Sequence, residues 1–258
     1  MTAPLSASNL HLSYGKTEVL KNISLDLPEG KISSIVGANA SGKSSLLRCL
    51  ARVLTPTKGT VILEGALITE QRSRDVARKV ALLSQTSEAP DAMRVMDLVI
   101  KGRTPHQSAL RQWSTTDQEI VEWCCDQVGL SAQMNSLLGE LSGGQRQRAW
   151  IAMVLAQDTG ILLLDEPTTF LDLPHQIEIL NLIQQLQNDR CLTVAMVLHD
   201  INLATRYSDH IVAVKNGEIL LQGAPDEVVS VENMHAIYGL DCTIIPDPDT
   251  RRPHVIAR

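Results

Sequence analysis

The chain has 258 residues, with 23 basic and 29 acidic side chains and a formal net charge of −6. Hydrophobic residues at 44% and charged residues at 20% sit near the globular average, which excludes wholesale disorder and leaves enough chain for a full core. The acidic balance argues against general nucleic-acid binding, which draws on counterion release by Lys and Arg. Aromatics are only 3%, with a single Phe, so the core is expected to be aliphatic. The five cysteines, at 49, 124, 125, 191 and 242, form no CxxC pair and read as reduced thiols of a cytosolic protein. The opening MTAPLSASNLHLSYG lacks the apolar region of a secretory signal. No apolar run approaches the roughly 18 to 20 residues that span a bilayer. Work at a membrane would require spanning helices from another chain.

In chain order, Ile32–Val36 reads as a short strand after the turn Pro28, Glu29, Gly30. Residues 44–54 place Leu46, Leu47, Leu50, Ala51 and Leu54 on one helical face, and the Thr-Pro-Thr-Lys-Gly run at 55–59 stops that helix. Residues 61–63 and Val80–Leu83 read as strands. Strand, helix and strand in succession predict an α/β architecture. After about residue 86 the character becomes helical up to 157. Thr116 and Glu119 match a capping box ahead of Ile120, Val121, Cys124 and Val128, and residues 146–157 form another helix. Strands return at 161–164, 193–198 and 210–214. Residues 243–245 and 254–257, joined through Pro246 to Thr250, predict a terminal hairpin.

The segment GANASGKS at 37–44 fits G-x-x-x-x-G-K-[ST] between a strand and a helix. Such a loop turns successive N–H groups inward to hold phosphate oxygens, and the helix start adds partial positive charge. Lys43 would reach the β- and γ-phosphates, and the Ser44 hydroxyl would ligate Mg²⁺. Asp165 and Glu166 follow an apolar strand. Alone, such a pair also describes a solvated turn; together with a phosphate loop it suits metal-dependent phosphoryl transfer. Asp165 would hold Mg²⁺ through water and Glu166 would act as general base. LSGGQ at 141–145 opens the helix near Arg146 and makes a second anion-binding helix start, with Ser142 as its cap.

Taken together, these motifs resemble an ABC-transporter ATPase subunit over nearly the whole chain. The loop fits the family's Walker A motif, so the resemblance implies ATP contacts from Gly37, Ala38, Asn39, Ala40, Ser41, Gly42, Lys43, Ser44 and Ser45. ILLLDE fits Walker B and LSGGQ the signature. Gln85 fits the Q-loop and a further Mg²⁺ contact. Asp172, after Phe170 and Leu171, fits the D-loop; His199 fits the switch histidine that meets the γ-phosphate, and Tyr14 the aromatic that stacks on adenine. The implied fold is a P-loop NTPase (RecA-like) core with a mixed sheet, antiparallel β elements and an inserted helical subdomain at about 86–157. The ATPase domain would run over 1–230 and a C-terminal extension over 231–258. The implied assembly is a two-fold dimer around two Mg-ATP, in which Ser142, Gly143, Gly144, Gln145 and Asp172 serve the partner's nucleotide. The family usually has Gly where Ala40 stands and often Pro where Ala38 stands. An Ala forced into an unusual φ there would cost about 1 kcal/mol.

Further stretches resemble the importer branch for metal chelates and cobalamin: Arg103, Thr104, Pro105, His106 and Gln107 with Trp113, then Thr168 to Asp172 running into Pro174, His175 and Gln176. LSGGQRQRAWIAMVLAQ and the ending around Ile237, Tyr238 and Gly239 are similar to ferric-siderophore importer ATPases. That likeness implies an ATP hydrolase on the cytoplasmic face of the bacterial inner membrane. It would be bound to a permease whose coupling helix meets the helical insert, and fed indirectly by a substrate-binding protein. Cobalamin or haem import is the alternative cargo, and a soluble ABC-type ATPase the alternative class. The latter predicts coiled-coil insertions, tandem halves or a basic face, none of which is apparent. A pure nucleotide-binding regulator would have no use for Glu166. Arg146 and Arg148 read as solvated and no nucleic-acid partner is expected. His106 and His175 lack metal-ligand spacing and read as exposed. Of Cys124 and Cys125, at least one is expected to be partly buried.

Overall fold

The computed structural model describes residues 3–85, 88–107, 113–169 and 171–258. Strand β1 (Leu5–Tyr14) pairs antiparallel with β2 (Thr17–Leu27). Inward positions of β1 switch from Leu5 and Ala7 to Leu10 and Leu12 across a bulge at Asn9, whose φ is 50°. The chain then enters β3 (Ile32–Val36), every residue of which is buried, and passes through a glycine-bounded loop into α1 (Lys43–Leu50). Helix α1 is shorter than the apolar face from 44 to 54 predicts. Arg52 turns left-handed with φ 59° and its Nη1 donates to the Gln71 carbonyl at 2.6 Å, so Leu54 packs on the core from a loop. β4 (Lys58–Leu63) and β5 (Ala66–Leu67) complete an antiparallel sheet in the order β2-β1-β4-β5.

After α2 (Ser73–Ala77), β6 (Val80–Leu83) is followed by α3 (Val95–Lys101), α4 (Thr115–Gln127) and α5 (Gly143–Ala156) before β7 (Ile161–Asp165), its parallel neighbour. Residue 86, where the predicted helical stretch begins, lies outside the described residues. The α4 cap is Ser114, whose hydroxyl accepts from the Asp117 N–H, with the Asp117 carboxylate closing the box; Thr116 lies inside the helix. The cap falls there because Asp117 is drawn inward by the buried Arg103 guanidinium, whose Nε donates to it at 2.9 Å. Cys124 and Cys125 are both fully buried, and burial pushes their thiols up to about 12 and about 11.

Helix α6 (Leu173–Arg190), β8 (Thr193–Val197), α7 (Ile201–Tyr207), β9 (His210–Lys215) and β10 (Glu218–Gly223) finish the larger sheet, ordered β10-β9-β3-β8-β7-β6. Five of its strands run parallel, and β10 lies antiparallel at the edge. Strands β3, β7 and β8 are buried along their whole length, as strands covered on both faces must be. One face packs with α1 against the antiparallel sheet through Leu46, Leu47 and Leu50; the other carries a larger aliphatic cluster shared with α3 to α7. Helices α8 (Pro225–Val228) and α9 (Val231–Tyr238) precede the predicted hairpin, observed as β11 (Cys242–Pro246) and β12 (Pro253–Ala257). The architecture is the mixed α/β fold expected, with parallel and antiparallel sheets layered around α1.

Several polar side chains expected to face solvent are instead held. His106 Nε2 lies 2.8 Å from the Gln157 carbonyl and is half-buried. Arg146 donates to Asp91 at 2.8 Å, and Arg148 pairs with Glu178. Among the described residues no helix is long and apolar enough to cross a membrane.

Candidate active site: a phosphate-type loop facing two carboxylates

The loop leaves β3 at Gly37, whose φ is 145° and where a Cβ would stand 2.1 Å from the Val214 carbonyl, so no other residue fits. Ala40 has φ 60°, the left-handed conformation expected of that position. Lys43 opens α1, and its buried ammonium donates to the carbonyls of Gly37 (3.0 Å) and Ala38 (2.9 Å). Burial pulls the Lys43 pKa down, against the opposing charges of Glu166 and Asp165.

The end of β7 brings the carboxylates to this loop. The Ser44 hydroxyl donates to Asp165 Oδ1 at 2.7 Å, and Arg48, one helical turn on, stands 3.7 Å from Oδ2. Burial raises the Asp165 pKa, opposed by the Ser44 hydrogen bond and the Arg48 charge. Glu166 follows with φ 56°. Its Oε2 accepts from Gln85 Nε2 at 2.7 Å and from the Thr169 hydroxyl at 2.8 Å, while Oε1 lies 2.7 Å from His199 Nε2. The Gln85 side chain thus meets Glu166. A cavity of about 500 Å³ opens between these groups, lined by loop residues Asn39 to Ser45 with Val19, Gln85, Glu166 and His199. Ser41 Oγ and Asp165 Oδ2 are buried with no hydrogen-bond partner among the described residues. Native structures rarely leave such atoms unpaired unless a ligand, ion or water completes them. The donor set suits an oxyanion and a hard cation side by side: the Lys43 ammonium, the Ser41 and Ser44 hydroxyls and the carboxylates of Asp165 and Glu166.

Other predicted residues lie elsewhere. Tyr14 is half exposed at the end of β1 and does not line the cavity. Ser142, Gly143, Gly144 and Gln145 start α5 away from it, with Ser142 and Gln145 exchanging capping-box hydrogen bonds of 3.2 and 3.0 Å. Asp172 caps α6 and contacts His175 Nδ1, which holds its carboxyl below the usual range. The His175 ring lies against Gly144, so these two predicted segments meet each other and not the cavity. Phe170 lies outside the described residues. Arg48 and Thr169 join the site with no motif role to mark them in the sequence, although Ser44 to Arg48 is an i,i+4 step along α1 and Glu166 to Thr169 is three residues. Gln147 ties α5 to the Pro167 carbonyl at 2.8 Å.

A β-strand, phosphate-type loop and helix, with a carboxylate pair at the end of β7, one strand removed from β3 in the same parallel sheet, define a P-loop NTPase. The ABC transporter family profile matches residues 20–169. A ferric enterobactin transport ATP-binding protein of Escherichia coli is 46% identical over 98% of this chain and 94% of its own length. An achromobactin transport ATP-binding protein of Dickeya dadantii is 47% identical over 98% and 94%. Among solved structures, an ABC transporter of metal-chelate type in an inward-facing conformation superposes with TM-score 0.86 at 25% identity, covering 100% of this chain and 98% of that one. A dimeric bacterial ABC transporter cassette gives TM-score 0.75 at 27% identity, over 85% and 98%. The chain belongs to the ABC transporter family and is one of its ATPase cassettes.

Proposed function

We propose that this chain is the ATP-hydrolysing subunit of an importer for a metal chelate, with a ferric siderophore as cargo. The observation that carries the chemistry is the phosphate-type loop facing Glu166 and His199 across one cavity, with Ser41 Oγ and Asp165 Oδ2 both buried and without a hydrogen-bond partner among the described residues. The cargo reading rests on relatives whose names specify ferric enterobactin, achromobactin and petrobactin transport. Residues 1–230 form the ATPase domain in this reading and 231–258 its extension.

In the mechanism, loop N–H groups from Gly37 to Ser45 cradle the phosphates and Lys43 swings from the Gly37 and Ala38 carbonyls to the β- and γ-oxygens. Ser44, Asp165 and Gln85 would hold Mg²⁺, which when bound neutralises developing charge on those oxygens. Glu166 takes a proton from the attacking water as its oxygen bonds to the γ-phosphorus and the bond to ADP breaks, yielding ADP and phosphate. His199 holds the Glu166 carboxylate and faces the γ-phosphate; Tyr14 stacks on adenine. Ser142, Gly143, Gly144, Gln145 and Asp172 close over the nucleotide of a second copy, so ATP joins the two-fold dimer and hydrolysis releases it. A permease at the cytoplasmic face of the bacterial inner membrane would convert that cycle into transport, receiving cargo from a substrate-binding protein.

The test has two arms. Purified protein with Mg²⁺ should turn over ATP, and Lys43→Ala should weaken ATP binding at least about tenfold; unchanged affinity would overturn the loop assignment. Disrupting the gene in its host should abolish growth on a ferric siderophore as sole iron source while sparing inorganic iron. Loss confined to cobalamin or haem use would reassign the cargo.

A further inference from the structure

His199 meets Glu166 at 2.7 Å, yet its side chain is 47% exposed, so little packing around the ring fixes it. What fixes it is the main chain that follows. Asp200 caps α7, its Oδ1 accepting from the N–H groups of Asn202 (2.7 Å) and Leu203 (3.1 Å). The place of His199 therefore follows the place of α7.

Helix α7 is in turn clamped at both ends by the C-terminal hairpin. Asn202 Nδ2 donates to the Val255 carbonyl at 3.0 Å, and the Val255 N–H donates back to Asn202 Oδ1 at 2.7 Å. A side-chain amide here completes a strand edge as another strand would, satisfying both main-chain groups of a buried residue. At the far end, Arg252 Nη1 donates to the carbonyls of Thr205 (2.9 Å), Arg206 (3.2 Å) and Ser208, groups a helix terminus leaves without intrahelical partners. The Ser208 hydroxyl also meets that of Ser34 on β3 at 2.5 Å, which fastens α7 to the strand that carries the phosphate-type loop.

We propose that Asn202, acting through Val255 of the C-terminal hairpin, is a positioning residue that sets His199 against Glu166, so that the extension at 231–258 governs ATP turnover as well as adding stability. This rests on the proposed role of His199. The test is a double-mutant cycle on the full chain, read as kcat and KM for ATP. Asn202→Ala should lower kcat about tenfold with KM within about twofold, the scale of a small misplacement at a reacting group. In a His199→Ala background the same change should alter kcat less than about twofold, because residues acting as a unit are non-additive. Equal losses in both backgrounds, or no loss in the wild-type background, would overturn the proposal. If His199→Ala alone left kcat unchanged, the reading of His199 would fall and this inference with it. Arg252→Ala frees the other end of α7 and should show the same dependence on background; it serves as the second reading if Asn202→Ala is recovered unfolded.

Discussion

Glu166 Oε1 stands 2.7 Å from His199 Nε2, while its other oxygen takes hydrogen bonds from Gln85 and Thr169. Two distant chain segments and the carboxylate's own turn thus orient it. Glu166→Gln preserves its shape but cannot accept a proton. Steady-state ATP turnover should fall about 10² to 10⁴-fold, while equilibrium nucleotide binding survives. With hydrolysis blocked, Mg-ATP should also shift the variant to a dimer by light scattering. Wild-type turnover would remove Glu166 as proton acceptor, and a monomer at every ATP concentration would count against the two-fold arrangement.

Arg103 joins α3, α4 and α5: its Nε donates to Asp117 and its Nη1 to the Ala156 carbonyl at 2.8 Å. Burial pushes the Asp117 carboxyl up, but hydrogen bonds from Ser114 and Arg103, with the Arg103 charge, hold it below the usual range. A native pKa below the unfolded one gives stability that is complete above about pH 4 and is lost as pH falls through the lower native value. Asp117→Asn should therefore lower the melting temperature most near neutrality, and its gap from wild type should shrink in acid below about pH 4. Asp117→Ala, which leaves Arg103 buried without its carboxylate, should cost about 3 kcal/mol. A gap independent of pH would contradict this account.

Ala40 is exposed and left-handed, so its methyl adds strain without packing. The strain, about 1 to 2 kcal/mol, exceeds the unfolded-chain entropy that Gly would add. Ala40→Gly should raise stability by up to about 1 kcal/mol in chemical denaturation. A loss would show that the loop favours Ala here.

At Gly144 a Cβ would stand 2.8 Å from His175 Cδ2, although no unusual φ demands glycine. Helix propensity alone would favour Ala by about 1 kcal/mol, but the ring must give way. Gly144→Ala should destabilise the wild type and stabilise a His175→Ala background, by about 1 kcal/mol each way. Equal effects in both backgrounds would show that His175 is not the obstacle.

Local sequence carries most of the parallel core because buried strands are continuous apolar runs: Ile32–Val36 and Val80–Leu83 match their observed bounds. It reads the ends of helices less well. The helix predicted to Leu54 stops at Leu50 because Arg52 turns toward Gln71, and the α4 cap moves to Ser114 because Asp117 answers a buried arginine distant in sequence. Strand β1 is not legible in the sequence because its bulge at Asn9 breaks the alternation that marks a half-buried strand.

By itself the sequence determined the chemistry on offer: a glycine-bounded loop with Lys43 and Ser44, a carboxylate pair after an apolar run, and a serine-capped glycine helix start, each a local pattern with a local physical meaning. Only the tertiary structure decided which of these share a cavity. Parallel pairing of β7 and β3 with β8 carries Asp165 and Glu166 to the loop, and the turn into α7 adds His199, whereas Ser142 to Gln145 and Asp172, at the starts of α5 and α6, do not line the cavity. Strand order and the packing of α7 on a hairpin whose Val255 lies 53 residues beyond Asn202 are sums over many weak, non-local contacts, and no short stretch of chain contains them.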